Sequence, residues 1–197
     1  MSSQVYDAPV RRHLRGRQAD TVARLTEAAV AELRAAGYEG LTVRNVARRA
    51  GVAAATVYAY FASKDHLVAE VFWRRLQDVA PVRTDRRRSV PARLDAALRD
   101  VALLVADEPE LAAACLPALL AGDPDVARLR RQIGDAILER IRHAVEDDVD
   151  PAVVRALWLA FNGALLQAGM GYLSYDELPD RMVEVAALLL GGRRRRD

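Results

Sequence analysis

The sequence predicts an all-α protein of about nine helices, with a three-helix head towards its N-terminal end. Three observations carry this prediction. Apolar residues recur at three- and four-residue spacings instead of alternating. Alanine, leucine and arginine, all good helix formers, are abundant. Glycine, proline or a capping side chain punctuates the pattern at its breaks. The 197 residues are 52% apolar and 28% charged, enough chain for one or two compact domains.

The elements follow in order. Val22, Leu25, Ala29 and Leu33 line one face of a first helix over about 20–36, and Gly37 stops it. Thr42 is an N-cap for a short helix over 43–50 that Gly51 ends. A second short helix covers 54–61. Ser63 then caps a longer helix over 64–79, whose apolar positions are Leu67, Val71, Phe72 and Leu76. Pro81 and the arginine-rich stretch to Ser89 break the pattern and place a domain boundary there. Five further helices are read over 91–106, 109–121, 124–147, 151–174 and 178–190. Asp123–Pro124 and Asp150–Pro151 start two of them by one device, an aspartate N-cap with proline at the first helical position. Pro109 behind Asp107 and Glu108 starts another in the same way. The organisation is therefore a basic arm over 1–18, a head over 19–80, a helical body over 81–192 and a basic tail over 193–197.

The formal net charge of +2 conceals an uneven distribution. Residues 1–80 carry 12 basic and 8 acidic side chains, whereas residues 89–192 carry 9 basic and 17 acidic. The remaining positive charge sits in Arg83, in Arg86–Arg88 and in the tail Arg193–Arg196. A basic front on an acidic body suits a nucleic-acid reader that turns one end to phosphates. The single cysteine, Cys115, excludes an internal disulfide framework and fits a reducing cytoplasm. No apolar run approaches the roughly 18 residues of a membrane span, and the first 20 residues hold no apolar leader segment. A cytoplasmic protein without a membrane partner is expected.

The informative stretch is Thr42–Leu67, TVRNVARRAGVAAATVYAYFASKDHL. Two short helices joined by a tight turn at Gly51–Ala53 form a helix-turn-helix, whose second helix can enter a major groove. Val43, Val46, Ala47 and Ala50 give the first helix an apolar seam, and Val57 and Phe61 give one to the second. Ala54, Ala55, Thr56, Tyr58 and Ala59 are left to face outward. The spacing alone leaves open whether the two tyrosines, Tyr58 and Tyr60, belong to the core or to the surface.

This stretch resembles the tetracycline-repressor-like (TetR) family. The resemblance rests on Gly37–Tyr38, Thr42, Val46–Ala47, Gly51–Val52, Thr56, Tyr58, Tyr60, Phe61, Lys64, Asp65 and Leu67 at fixed spacing over about 45 residues. It implies that Thr42 and Arg44 touch the DNA backbone, that Thr56 and Tyr58 bond phosphates, and that Lys64 pairs with one at a helix N-terminus. Two positions depart from the family's pattern. Its usual histidine before the phenylalanine is Tyr60 here, which keeps a polar hydrogen-bonding tip towards DNA, and the start of the reading helix, also expected against DNA, is Ala53–Ala54–Ala55. Alanine can only touch a thymine methyl or permit close approach, so direct readout is thin. Arg44, Thr56 and the arm residues Arg11, Arg12, Arg15 and Arg17 are the candidates to supplement it.

The resemblance also implies a body that binds a ligand and dimerises. Helix 151–174 carries a strip of small residues, Ala160, Gly163, Ala164, Gln167, Ala168 and Gly171, which allow another helix close. Met182, Val185, Ala186 and Leu189 on helix 178–190 form a companion face, and two such helices from each chain make a four-helix homodimer interface. The middle helices are expected to enclose an effector pocket lined by Leu98, Val101, Ala102, Val105, Cys115, Leu116 and Leu119, with Trp158 and Phe161 behind. That lining fits a small, largely apolar effector.

An enzyme is the competing class. His13, His66 and His143 form no metal spacing, and the chain has no nucleophile elbow, phosphate-cradling glycine loop or convergent carboxylate pair. The acidic run Glu146–Asp148 with Asp150 reads as the solvated end of a helix. No cofactor or metal is expected. The sequence therefore reads as a ligand-responsive repressor on double-stranded operator DNA, the alternative being a non-specific architectural DNA binder.

Overall fold

Short polar side chains set the helix boundaries in the computed structural model, which describes residues 16–82, 85–145 and 149–191. The helices there are α1 (Arg17–Gly40), α2 (Val43–Arg49), α3 (Ala54–Tyr60), α4 (Lys64–Asp78), α5 (Val90–Ala106), α6 (Pro109–Leu120), α7 (Pro124–Val145), α8 (Pro151–Gly169) and α9 (Leu178–Gly191). Thr42 Oγ1 accepts from the Asn45 amide at 3.1 Å, and Ser63 Oγ accepts from the His66 amide at 3.1 Å. Asp150 Oδ1 accepts from the Ala152 amide at 2.7 Å. Each bond satisfies an amide that has no partner inside its helix. The arginines Arg11, Arg12, Arg15 and Arg83, the acids Glu146–Asp148 and the tail 193–197 lie outside the described residues, as does the Arg17 side chain.

Glycine ends two helices by the same geometry. Gly51 (φ 65°) follows α2 and Gly171 (φ 79°) follows α8. The next amide in each case, Val52 or Tyr172, donates back to the carbonyl of Ala47 or Gln167 at 3.0 and 2.9 Å. This is the six-to-one closure that a left-handed residue permits. It also corrects the expected extent of the eighth helix: α8 stops at Gly169 instead of 174, and Gly171 lies beyond it. Gly37, with φ 65° and ψ −178°, breaks α1 near its end, a conformation essentially confined to glycine.

The described chain forms two compact units. The first holds Met1–Arg74 and Glu110–Arg131, and the second Arg75–Pro109 and Gln132–Asp197. The division thus does not fall at residue 80; the unit containing the head also takes in residues 110–131. In the first unit, α1 packs on α2 and α2 on α3. Val22, Leu25, Ala29 and Leu33 of α1 are buried, as are Val46, Val57, Phe61 and Leu67. In the second, α9 packs on both α5 and α8, with Leu98, Val101, Leu157, Phe161, Met182 and Ala186 buried.

By length and mean hydropathy (1.2), α8 is apolar enough to cross a membrane, contrary to the reading of the sequence. The apolar residues outnumber Arg155, Asn162 and Gln167 because α8 is apolar on more than one side. Leu157 and Phe161 are buried, while Leu159, Leu166 and the following Met170 are exposed.

One ionisable group of the first unit is buried at a cost. Glu70 is 1% exposed. Its Oε1 accepts from Arg74 Nε at 2.8 Å, and its Oε2 has no hydrogen-bond partner among the described residues. Burial pushes its pKa up to about 7, against the pull of Arg74 and Arg128. A carboxyl raised in the folded state binds its proton there more tightly than in the unfolded chain. Its contribution is therefore full below the unfolded value of about 4.3 and is lost as pH rises through about 7. Glu70→Gln, which cannot ionise, should gain stability over the parent at pH 8 relative to pH 5, by on the order of 2 kcal/mol. Urea midpoints at both pH values and one protein concentration measure this; a pH-independent difference would show that Glu70 does not titrate in this range.

Candidate nucleic-acid interface

The head is built outward from the break at Gly37. Leaving the helix there turns Tyr38 towards the start of α4, where its hydroxyl donates to Asp65 Oδ1. Lys64 Nζ donates to the Tyr38 carbonyl at 2.9 Å and lies 4.2 Å from the centre of the Tyr38 ring, a cation–π distance. Burial and the Asp65 carboxylate both hold the Tyr38 phenol well above its ordinary pKa, so it stays neutral. Lys64 is thereby fixed by one of its three N–H donors and keeps two. Its position is set before any ligand arrives. The sequence pattern contained Tyr38 but gave no sign that it anchors Lys64.

Two further contacts brace α1 against α2. Arg49 Nε donates to Glu32 Oε1 at 2.7 Å, with the glutamate buried. Arg24 donates to the Ala50 carbonyl at 2.6 Å, satisfying a C-terminal acceptor of α2. Arg44 and Arg48 remain exposed on α2.

Val57 and Tyr60 on α3, and Phe61 at its C-cap, are buried. Tyr60 is 8% exposed, whereas Tyr58 is 51% exposed. The expectation that Tyr60 faces DNA is corrected: at i+3 from Val57 it shares the buried face. The same spacing, applied to Tyr60, could have shown this. Ala53 and Ala55 are exposed, Ala54 and Thr56 half-buried. Ala53, at the N-cap position, has no side-chain acceptor for the first turn.

Three of the expected DNA-contacting residues meet in one place. Thr42, Tyr58 and Lys64 line a cleft of about 460 Å³ together with Leu41, Val43, Ala62, Ser63 and Glu39. The hydroxyls of Thr42 and Tyr58 and the ammonium of Lys64 make a set of donors beside the N-terminus of a 15-residue helix. Such a set suits a phosphate oxygen, which accepts several hydrogen bonds and gains from the helix dipole. Arg44, Ala54, Ala55 and Thr56 are not among the residues of this cleft.

The other expected sites are distributed differently. Of the pocket residues, Cys115, Leu116 and Leu119 belong to the first unit, and Leu98, Val101, Ala102, Val105, Trp158 and Phe161 to the second. Leu98, Val101, Ala102, Val105 and Phe161 are buried, and Trp158 lines a separate cleft between α7 and α8. Of the expected dimer residues, Gly163, Gln167 and Gly171 are exposed, while Ala160, Ala164, Val185 and Leu189 are half-buried. Ala168, Met182 and Ala186 are buried within the protomer itself. Large apolar side chains that the sequence reading did not assign to this face are exposed instead: Leu159 (71%), Leu166, Met170, Tyr172 and Leu188 (76%).

Known proteins resemble this chain over its head and over most of its length. Residues 25–71 match the model of the family described as bacterial regulatory proteins, tetR family. An uncharacterised HTH-type transcriptional regulator of Mycobacterium tuberculosis is 48% identical over 178 residues, covering 89% of this chain and 83% of the relative. The HTH-type transcriptional repressor KstR of Rhodococcus jostii is 28% identical over 187 residues, covering 88% of this chain and 84% of KstR. The crystal structure of a TetR transcriptional regulator from Rhodococcus sp. RHA1 shares the fold with a TM-score of 0.68 at 20% identity, over 89% of this chain and 98% of that one. The chain belongs to the tetR family of bacterial regulatory proteins and is a DNA-binding helix-turn-helix transcriptional regulator, not an enzyme.

Proposed function

We propose that the protein is a homodimeric repressor that holds a palindromic operator with its two heads and is released by a small, largely apolar effector. The observation that carries this reading is the convergence of Thr42, Tyr58 and Lys64 on one cleft beside the N-terminus of α4. The relation to KstR, itself named a repressor, supports the sign of regulation.

The second copy is inferred from α8 and α9. Leu159, Leu166 and Met170, spaced for one side of α8, and Leu188 on α9 are exposed large apolar side chains. Small neighbours on α8, Gly163 and Ala164, let a partner helix come close. Two heads matter because each seven-residue reading helix makes few base contacts. Useful affinity then needs both subunits, on half-sites about one helical turn apart or at a related spacing.

Release needs a lever from the body to Lys64. The helix α4 begins at Lys64, and Arg75 near its other end donates to the Leu104 carbonyl at 2.9 Å and pairs with Glu108. An effector that shifts the end of α5 pulls on Arg75, near the end of α4 opposite Lys64. The effector must favour the DNA-incompetent state, and by linkage operator DNA weakens effector binding by the same factor.

Selection of bound fragments from the source organism's DNA tests the repressor reading. The expected product is a palindrome protected on two half-sites. Equal affinity for the selected fragment and random duplex would make the protein an architectural binder instead. Lys64→Ala should weaken operator and random DNA by similar factors and lower the salt slope by about 1. A loss confined to one operator base would make Lys64 a base reader. Leu166→Arg should turn a dimer into a monomer by sedimentation and reduce operator affinity; an unchanged dimer would place the interface elsewhere.

A further inference from the structure

The second unit has a cleft that DNA binding does not use. Between the C-terminal half of α7 and the N-terminal half of α8 lies a cavity of about 480 Å³. Its apolar walls include Leu138 and Val145 from α7 and Val154 and Trp158 from α8. Its charged lining residues are Arg142 and Arg155, and no carboxylate lines it among the described residues.

The two guanidiniums are available. Arg155 has no hydrogen-bond or ion-pair partner among the described residues. Arg142 has Glu139 at 3.5 Å, with both side chains more than half exposed, a pairing worth little in water. Guanidiniums offer only donors, in a planar fork that matches a carboxylate. The volume falls in the range of small-molecule sites, about 300–1,000 Å³. An apolar cleft with donors of one charge sign at its side selects a molecule with a hydrocarbon body and an anionic end.

We propose that this cleft binds an amphipathic monocarboxylate, with its acyl or aryl body against Val145, Val154 and Trp158 and its carboxylate between Arg142 and Arg155. Trp158 stacks on Phe161 at 6.2 Å between ring centres, and Phe161 is buried. An occupant touching the indole therefore reaches a residue stacked on the core of α8, the helix proposed above for the dimer interface. As a naming of the effector class this rests on the regulator reading; as a binding site it stands without it.

Isothermal titration of the full-length protein with decanoate, below its micelle concentration and without DNA, tests the site. Decanol and decyltrimethylammonium serve as controls of equal chain length. Decanoate should bind, and each control should bind at least about tenfold more weakly, the factor of one charge-assisted hydrogen bond. Arg155→Glu, a change at an exposed position that leaves the core intact, should weaken decanoate by a similar factor or more. Val154→Trp, which fills the cleft, should abolish uptake while keeping the parent's helical circular dichroism. No uptake of decanoate overturns the proposal, as does a control that binds equally well or an Arg155→Glu variant of unchanged affinity. Operator binding is measured in parallel on the same samples. Intact DNA binding without decanoate uptake sinks only the site, and decanoate uptake without operator binding sinks only the repressor reading.

Discussion

Seven residues are too few to hold a helix in water, where roughly 12–15 are needed even for favourable sequences, yet α2 and α3 have seven each. Both exist because one side of each is buried: Val43, Val46 and Ala47 on α2, Val57 and Tyr60 on α3, with Phe61 at its end. That requirement fixes what is left for DNA. Every inward position on so short a helix is taken by the core, so Tyr60 serves packing while Tyr58, two residues earlier, stays exposed. The Tyr38 anchor extends the same logic to α4, since the contacts that finish α1 also place Lys64.

Much of this was legible in the sequence because it depends on local chemistry. Thr42, Ser63 and Asp150 act as caps where their positions predict, since a capping bond spans only two or three residues. The turn at Gly51 follows for the same reason. What the sequence hid depends on distant packing. Met182 and Ala186 look like a contact face of α9, but α9 packs against both α5 and α8, which buries them inside the protomer. Leu166 is as apolar as Leu157 and Phe161 on the same helix, and only the packing of α8 decides that it is exposed while they are buried. The pocket residues carry no local signature at all, because an apolar lining and an apolar core have the same composition.

The two-sided character of α8 follows from one physical rule. A helix apolar around most of its circumference is normally buried around most of it. Within the protomer only the side of Leu157 and Phe161 is covered, and the side of Leu159 and Leu166 is not. A second copy in the proposed dimer resolves this without a membrane, and Arg155, in the second turn of α8, would be costly to place in hydrocarbon. In that dimer the hydropathy of α8 would be accounted for by two protein surfaces on one helix.

The alanines of the reading helix give this head a particular division of labour. Ala54 and Ala55 can approach a groove floor closely but offer no hydrogen bond to a base edge. The donors gathered in the cleft, on Thr42, Tyr58 and Lys64, are of the kind that grip phosphates, which positions a protein without reading sequence, while Arg44 and Arg48 stay exposed on α2 outside that cleft. A single head of this type gains affinity for any duplex and little preference among them. In the proposed dimer, preference would then come in large part from what two heads share: the distance and angle between them, matched against the spacing of half-sites. In such a regulator, control of specificity and control of release fall on the same variable. In the proposed dimer, a shift in α4 that leaves each head intact would remove the pair from register, and with it most of the advantage of the operator over other DNA.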